Sequence, residues 1–458
     1  MRDLTQGSIT GHLLGMAGFI GLTLIFQTLY FVVDLYFVSR LGNAAIAGVS
    51  AAGNVFFLAM AASQLISIGA MSLVAQAVGR KDNAEANLVS DQAISMSLLF
   101  GAVALALGYS IGGAGVDLLT ADAASAEAGR AYLYAFLPAL ALMFPSQAMT
   151  SSLRGAGVVM PTMLLQTGAI LLNVVLAPVL IVGWGVGVPL GVAGAGWAST
   201  IAATVGTLGL VLLFPRVQSY LRLHVSALAP RFKTWGRILF VGLPSSFEFL
   251  LMFVIFIVVY WVIRGFGAEA QAGFGIGMRI MQSIFLPAMA ISFAAGPIAG
   301  QNFGAGRHDR VRAAFRDTAL IGSAIMVTLS VLCHISPGVF ARLFTSDPAV
   351  LAVSNDYLQV VSWNFVFSGL IMAASGMFQG LGDTRPSLIA SASRLVTFAA
   401  PALYLSTLPG FTLHQVWLLS VFSVVSQCVL ALWLLFRTFK RKLTPPAPPA
   451  PPIAAAAG

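Results

Sequence analysis

The sequence predicts an all-α membrane protein whose twelve transmembrane helices form two six-helix lobes related as parallel repeats. Hydrophobic residues make up 58% of the chain and charged residues only 9%, with a mean hydropathy of +0.91. Soluble domains carry about 25% charged residues, so this composition indicates a polytopic membrane protein. The chain also holds twelve apolar stretches of spanning length, and its second half repeats landmarks of the first.

Twelve spans follow from the hydropathy of the chain, because about 20 apolar residues are needed to cross a bilayer. The second and eighth spans are long enough to tilt or to extend beyond the lipid. The first six lie near residues 12–38, 45–75, 88–111, 131–152, 160–183 and 190–214, and the other six near 238–263, 271–300, 317–336, 356–380, 387–408 and 414–436. The predicted units are an N-lobe (1–220), a cytoplasmic linker (221–237), a C-lobe (238–439) and a disordered Pro/Ala-rich tail (440–458).

Lys and Arg residues fall mainly on one side of the predicted membrane. The amino terminus, the loops after even-numbered spans and the carboxyl tail hold eighteen of the 24, whereas the opposite loops hold only Arg40, Arg130, Arg264 and Arg342. The positive-inside rule then predicts a multi-pass protein of a bacterial inner membrane with both termini in the cytoplasm. Because the basic residues lie in loops beside the lipid bilayer, we expect no nucleic-acid partner.

The two halves match at a nearly constant offset of 225 residues, as from Gln76 to Gln301. Because each half has an even number of spans, both halves insert in the same orientation and form parallel repeats about an axis along the membrane normal. Two such lobes rocking about a central cleft are the usual basis of alternating access. Further matched pairs are Gly79 with Gly304, Gly155 with Gly380, Gly157 with Gly382, and Pro161 with Pro386.

Asp34 is the only charged residue in the first span, residues 13–38. An acid at the centre of a membrane helix costs roughly 2.5–3.5 kcal/mol on insertion scales, so intramembrane acids are rare and usually mark proton or ion pathways. Gln27 and Tyr30 precede it at helical spacing, which places all three side chains on one face. The alternative is a neutral carboxyl that only bonds a neighbouring helix.

Glu248 is the acid of the seventh span, and Arg279 lies in the eighth. The two residues are candidates for an intramembrane ion pair, with Arg279 as the counter-ion, because an unpaired buried charge is strongly destabilising. Glu248 is equally a candidate for binding a coupling cation. The sequence leaves both alternatives open.

Several motifs together resemble the multidrug and toxic compound extrusion (MATE) family over roughly residues 8–437. The resemblance implies a V-shaped pair of six-helix lobes that exports bulky, often cationic compounds in exchange for H⁺ or Na⁺. The motifs are VVDLYFVSRLGNAAIAGVS at 32–50, QAVGRKD at 76–82, LRGAGVVMPT at 153–162, GVAGAGWAST at 191–200, GLPSSFEFL at 242–250 and QNFGAGR at 301–307.

The resemblance also implies roles for residues in the N-lobe. Gln27, Tyr30 and Asp34 match the polar set of the family's amino-lobe cavity, and Asn173 in the fifth span matches as well. A second acid is common four positions after this Asn, but the chain has Ala177 there. Thr200 and Thr204, one turn apart on the sixth span, are further candidates to line this cavity, with interhelical hydrogen bonding as their structural alternative.

The sequence therefore predicts a secondary active antiporter that exports organic cations in exchange for protons, with Asp34 as the coupling acid. The alternatives are Na⁺-coupled efflux through Glu248 and a flippase for a lipid-linked precursor, although the flippase should have a strongly cationic cleft. No catalytic cluster or metal-binding spacing is present, so an enzyme is not expected. We expect no cofactor besides the coupling ion, and a monomer.

Overall fold

The computed structural model describes residues 3–185, 189–217, 221, 224 and 228–443, and this described part is helical without strands. Helices α1 to α6 are Ile9–Ser39, Asn43–Gly79, Asn83–Leu119, Ala123–Gly155, Met160–Val182 and Val192–Val217. Helices α7 to α15 are Phe232–Ile263, Ala268–Gly304, His308–Ile335, Pro337–Ala341, Pro348–Val361, Asn364–Gly380, Arg385–Arg394, Ala400–Leu405 and Leu413–Lys442.

Eleven helical segments in this described part are long and apolar enough to cross a membrane, and the bent pair of α11 and α12 makes a twelfth. The predicted fold class, an all-α membrane protein of twelve spans, is therefore confirmed. The boundaries of the lobes and of the linker stay predictions. Residues 444–458, most of the predicted tail, lie outside the described residues, as do residues 222–223 and 225–227 of the predicted linker.

The tenth span is broken, which differs from the single helix predicted over 356–380. Helix α11 begins at Pro348, and α12 follows it after a bend of 54°. At the break, the hydroxyl of Ser330 donates to the carbonyl oxygen of Ser362 at 2.7 Å. This bond provides a carbonyl freed by the bend with a partner, which a break inside a bilayer requires.

The eleventh span runs through α13 and α14 with a π-helical turn, Leu395–Ala399, between them. Pro401 follows this turn in the first turn of α14. Since proline has no amide hydrogen, the carbonyl of Thr397 loses its usual helical partner, and the widened turn accommodates this loss. Sequence spacing alone predicted one regular span over 387–408.

The two halves exchange the starts of their first helices. The beginning of α1 packs against α8 through residues such as Leu13, Ile20 and Ile291, while Ile238 and Val241 at the start of α7 belong to the core of the first half. Because α1 and α7 are the first spans of the two repeats, the exchange is pseudo-symmetric. It produces a seam in which α1 contacts α8 and α2 contacts α7.

The seam runs from the helix ends that carry the arginine-rich loops, which we call the basic end, to the middle of α2 and α7. Along it, Gly69 packs against the backbone of Ile238, and the hydroxyl of Ser246 donates to the carbonyl oxygen of Ala61 at 2.9 Å. Farther along, the rings of Phe57 and Phe253 meet with centroids 5.1 Å apart. Past this pair, no hydrogen bond and no ring contact joins the halves within the described residues.

Candidate functional site

Asp34 lies buried in the half of α1 that packs against the first lobe. The residue is only 7% exposed, and its Oδ1 atom has no hydrogen-bond partner among the described residues. The part of the chain that the structure describes also provides no ion pair for this carboxylate. A buried carboxylate without a partner is costly, so this group is suited to gaining either a proton or a cation.

Tyr30 and Asn173 meet at a third residue, Ser199 on α6. The Tyr30 hydroxyl lies 2.9 Å from Ser199 Oγ, and Asn173 Nδ2 donates to the same oxygen at 3.2 Å. Ser199 Oγ donates its own hydrogen to the carbonyl oxygen of Ala195 at 3.1 Å. The serine oxygen must then accept from both neighbours, so Tyr30 acts as a donor here. This bond fixes the phenol one helical turn before Asp34.

Aromatic rings form a continuous chain beside these polar groups. Consecutive ring centroids lie 5.1 Å apart for Tyr30 and Phe31, 6.2 Å for Phe31 and Phe56, 5.9 Å for Phe56 and Phe136, and 5.4 Å for Phe136 and Tyr132. Tyr30, at one end of this chain, lies one helical turn before Asp34 on α1. Ring faces next to a carboxylate can hold a lipophilic cation through cation–π attraction.

The other predicted residues of this lobe form no side-chain hydrogen bond with the Tyr30–Ser199–Asn173 cluster in the described residues. Gln27 is exposed and forms no hydrogen bond with any described residue. Thr200 Oγ1 donates to the carbonyl oxygen of Ala135 at 2.7 Å, and Thr204 Oγ1 donates to that of Thr200 at 2.7 Å. Each threonine thus commits its only hydroxyl hydrogen to the backbone. The bond of Thr200 joins α6 to α4, which is the interhelical hydrogen bonding considered as the alternative to a cavity role.

Ser199 was missed by the sequence reasoning, which selected the adjacent Thr200. In GVAGAGWAST the serine is one of several small residues, so neither composition nor charge distinguishes it. Adjacent residues on a helix point in directions about 100° apart, so only one of the two faces α1 and α5. The helical register relative to Asn173 and Tyr30 selects Ser199, and the sequence alone does not fix that register between helices.

Glu248 lies in a cluster of hydroxyl and amide groups in the second lobe. Its Oε2 atom accepts from Ser387 Oγ at 2.9 Å, and its Oε1 atom accepts from Ser391 Oγ at 3.0 Å. Gln427 Nε2 donates to Ser391 Oγ at 3.2 Å, and Ser387 also lies 3.3 Å from Ser375 Oγ. Both oxygens of this half-buried carboxylate therefore have protein partners, in contrast to Asp34 Oδ1.

Arg279 does not pair with Glu248 in the described residues. The arginine is exposed on α8, whereas Gly277 and Ile280 form the buried side of the same turn. Ser387 and Ser391 on α13, rather than Arg279, are the partners of the Glu248 carboxylate. The other basic residue inside a span, Arg394, donates from Nε to Ser423 Oγ at 3.4 Å.

Comparison with known proteins identifies the family. The MatE family model matches residues 20–179 and 244–405, so it covers most of the chain and matches each half separately. The chain belongs to the MATE family of transporters. This membership confirms the resemblance that the motifs carry, and it makes the protein a transporter rather than an enzyme. The two matched segments begin 224 residues apart (244 − 20), in agreement with the repeat offset in the sequence.

Several proteins resemble this MATE chain along most of its length. The multidrug export protein MepA of Staphylococcus haemolyticus is 23% identical over 427 residues, covering 92% of this chain and 91% of MepA. A probable multidrug resistance protein NorM of Thermotoga maritima is 24% identical, covering 83% and 82%. A solved outward-facing MATE transporter superposes with a TM-score of 0.89 at 22% identity, covering 96% and 99%.

Among the described residues, no group of three or more His, Cys, Asp or Glu side chains is placed to hold a metal ion. Ala177 is fully buried on α5, one turn after Asn173. At the position where family resemblance places a second acid, this MATE chain therefore has a methyl group. Asp34 is consequently the acid that α1 and α5 contribute to this site.

Proposed function

We propose that this MATE protein is a secondary active multidrug efflux antiporter that exports bulky organic cations in exchange for protons. The observation that supports this most is the buried Asp34 carboxylate, whose Oδ1 atom has no partner among the described residues. The names of the curated relatives, a multidrug export protein and a probable multidrug resistance protein, support the substrate class. We propose that it functions as a monomer in a bacterial inner membrane.

Competition for Asp34 provides the coupling. A buried carboxylate is stabilised either by protonation or by a cation in contact with it, and one carboxylate does not accept both at full strength. A proton that arrives from the open cleft therefore displaces the cation. Loss of that proton on the other side regenerates the affinity for the next cation.

The rings of Tyr30, Phe31 and Phe56, the members of the aromatic chain that are not buried, account for a preference for bulky cations. Cation–π attraction contributes about 0.5–2 kcal/mol for each favourable ring, and more when the cation is desolvated. Because ring faces have little directional preference among alkylated cations, many different lipophilic cations fit beside Asp34. Gln27, Tyr30, Asn173, Thr200 and Thr204 remain proposed residues of this cavity.

The direction of transport follows from the orientation we propose for the helices. If the basic end faces the cytoplasm, both termini are cytoplasmic and the cleft opens outward. In this state Asp34 takes up a proton from outside and releases the drug. Exchange of one proton for one monovalent cation moves no net charge across the membrane, so the pH gradient, rather than the membrane potential, drives this exchange.

Coupling to Na⁺ through Glu248 is the alternative. Its carboxylate is surrounded by hydroxyl oxygens, the ligand type that hard cations prefer. However, Ser387 and Ser391 already satisfy both carboxylate oxygens, and no hydrogen bond joins a second acid to this cluster in the described residues. A flippase for an anionic lipid precursor is less well supported, because it should have a strongly cationic cleft and only Arg279 and Arg394 lie inside the predicted spans, with Arg394 bonded to Ser423.

An ion-replacement experiment separates the two couplings. We expect proteoliposomes with an imposed pH gradient and no Na⁺ to transport ethidium, and an imposed Na⁺ gradient at equal pH to drive none. Glu248→Gln should retain the pH-driven rate within about twofold, since our proposal gives Glu248 no part in coupling and the amide can still bond the hydroxyls of Ser387 and Ser391. Transport that requires Na⁺ and is lost in Glu248→Gln would replace our proposal with the alternative.

Ser199→Ala is expected to weaken drug binding without uncoupling transport. The change removes the oxygen that accepts from both Tyr30 and Asn173, and unsatisfied buried donors cost about 1–3 kcal/mol. We therefore expect the Kd for ethidium to rise by about 5- to 150-fold, measured by fluorescence anisotropy. Ser426→Ala is the matched control, since Ser426 donates to a carbonyl in its own helix on an exposed surface. Equal Kd values for both variants would remove Ser199 from the site.

A further inference from the structure

Two hydrogen bonds that the internal repeat relates to each other close the seam at the basic end. Gln76 Nε2 on α2 donates to the carbonyl oxygen of Gly380 at 2.9 Å, and Gln301 Nε2 on α8 donates to that of Gly155 at 2.8 Å. Both the donors and the acceptors are pairs at the repeat offset of 225 residues. Each bond joins a residue of one lobe to the opposite lobe, so the two bonds are reciprocal. We call them the glutamine clasps.

The acceptors are the carbonyl ends of helices. Helix α4 ends at Gly155, and α12 ends at Gly380. The last carbonyl groups of a helix have no partner within it and carry the negative end of the helix dipole, so an amide donor is favoured there. Each glutamine therefore gives a helix end of the opposite lobe a hydrogen-bond donor that this helix end does not find within its own lobe.

Glycines allow the two backbones to approach closely enough for the clasps to form. A methyl group on Gly79 would overlap the carbonyl oxygen of Gln301, and one on Gly304 would overlap that of Gln76. These two glycines are again a pair at the repeat offset. The same four positions, two glutamines and two glycines, thus interlock symmetrically across the seam.

Burial indicates that the clasps persist as long as the seam is closed. Gln301 is 2% exposed, so its amide does not exchange its partner for water without separation of the lobes, and Gln76 is half-buried. When the basic end opens, both amides and both helix ends gain access to water. Closing the seam again requires both bonds to re-form in register.

We propose that Gln76 and Gln301 are positioning residues that hold the basic end closed and thereby set the balance between the two states of the cleft. This proposal rests on the proposed function in one respect, that the two lobes move relative to each other during transport. It does not depend on the coupling ion or the drug. Opening of the basic end breaks both clasps together, because the repeat places them on either side of one pseudo-symmetry axis.

The test measures the distance between the lobes directly. Spin labels are attached to Ala84→Cys and Asp309→Cys, which are exposed, lie at the starts of α3 and α9, and are themselves a pair at the repeat offset. The background carries Cys333→Ala and Cys428→Ala, because both native cysteines are free thiols. Pulsed electron–electron double resonance then measures the distances between the two labels in protein in lipid nanodiscs, without drug or gradient. The distance distribution gives the separated and closed populations.

Replacing the glutamines by methionine removes the amide and keeps the side-chain length. We expect Gln76→Met and Gln301→Met each to raise the ratio of separated to closed protein about fivefold, and the pair to raise it about 25-fold, because one hydrogen bond is lost in each. The single variants keep the test valid if the pair does not fold. Gln166→Met is the matched control, since Gln166 donates to Thr150 within the first lobe.

Separated populations that equal those of the control and the parent protein overturn the proposal, even if the melting temperature falls. A merely structural role would lower stability in all three variants without changing the distances. Failure of the antiport proposal would leave these distances as we expect them, since no ion or substrate is involved. The two proposals therefore stand or fall separately.

Discussion

Asp34→Asn is expected to abolish export against a gradient while leaving the protein folded. The amide has nearly the shape of the carboxyl, but it neither releases a proton nor attracts a cation. In proteoliposomes with an imposed pH gradient, ethidium transport should fall to the rate of empty liposomes. Burial of a neutral amide costs no more than burial of the unpartnered carboxylate, so the melting temperature should not fall.

The matched control for this variant is Asp309→Asn, the same substitution at an acid whose side chain is 99% exposed. Its transport rate should equal that of the parent protein. If Asp34→Asn still concentrated the dye at the expense of the pH gradient, another group would carry the proton. Gln27→Ala does not replace this test, because Gln27 has no titratable group.

Gly242→Ala is expected to have the second-largest effect, on closure of the seam rather than on chemistry. Gly242 on α7 lies directly against the carbonyl oxygen of Leu65 on α2, and a methyl group there would overlap backbone atoms. Backbone cannot rotate away as a side chain does, so helices α2 and α7 must separate. Overpacking typically costs about 1–3 kcal/mol, and this contact leaves little room for relief.

A lower melting temperature and slower transport should therefore accompany Gly242→Ala. The control is Gly236→Ala on the same helix, where an added methyl group meets no atom within 4 Å. Alanine has the higher helix propensity, so this control should be neutral or slightly stabilising. Equal melting temperatures for the two variants would show that α2 and α7 can separate at Gly242 without loss of stability. This result would contradict a tightly closed basic end.

Hydropathy and the repeat were sufficient for the fold because both depend on local sequence. The lipid requires about 20 apolar residues in every span, and this requirement is visible without tertiary information. The break between α11 and α12 was not visible. It depends on Ser330, more than thirty residues away in sequence, whose hydroxyl bonds the carbonyl of Ser362.

The candidate site was predictable only where a residue is chemically unusual. A lone acid in an apolar span, Asp34, is conspicuous in the sequence, and its burial in the first lobe fits a coupling role. Ser199 is inconspicuous, because its importance comes from the register between α1, α5 and α6. Register between helices is a property of packing, and hydropathy contains no signal for it.

The surroundings of charged residues could not be predicted from the sequence either. Arg154 follows the predicted fourth span, 131–152, and so belongs to the basic loops by sequence, but it lies in the last turn of α4, where its guanidinium lies over the ring of Phe293 across the seam, 5.7 Å from the centroid. Arg279 was considered as a partner for Glu248, but its direction on α8 places it on the exposed side. The direction of a side chain around a helix decides both cases.

Drug-induced proton release from the purified protein tests the central claim most directly. In a weakly buffered detergent solution, at a pH at which Asp34 is protonated in the free protein, addition of tetraphenylphosphonium to the parent protein should release a proton for each cation bound, followed with a pH-sensitive dye. Asp34→Asn should release none, whereas Asp309→Asn should behave as the parent protein does. Equal proton release from Asp34→Asn and the parent protein, or binding without release in the parent protein, would contradict competition at Asp34.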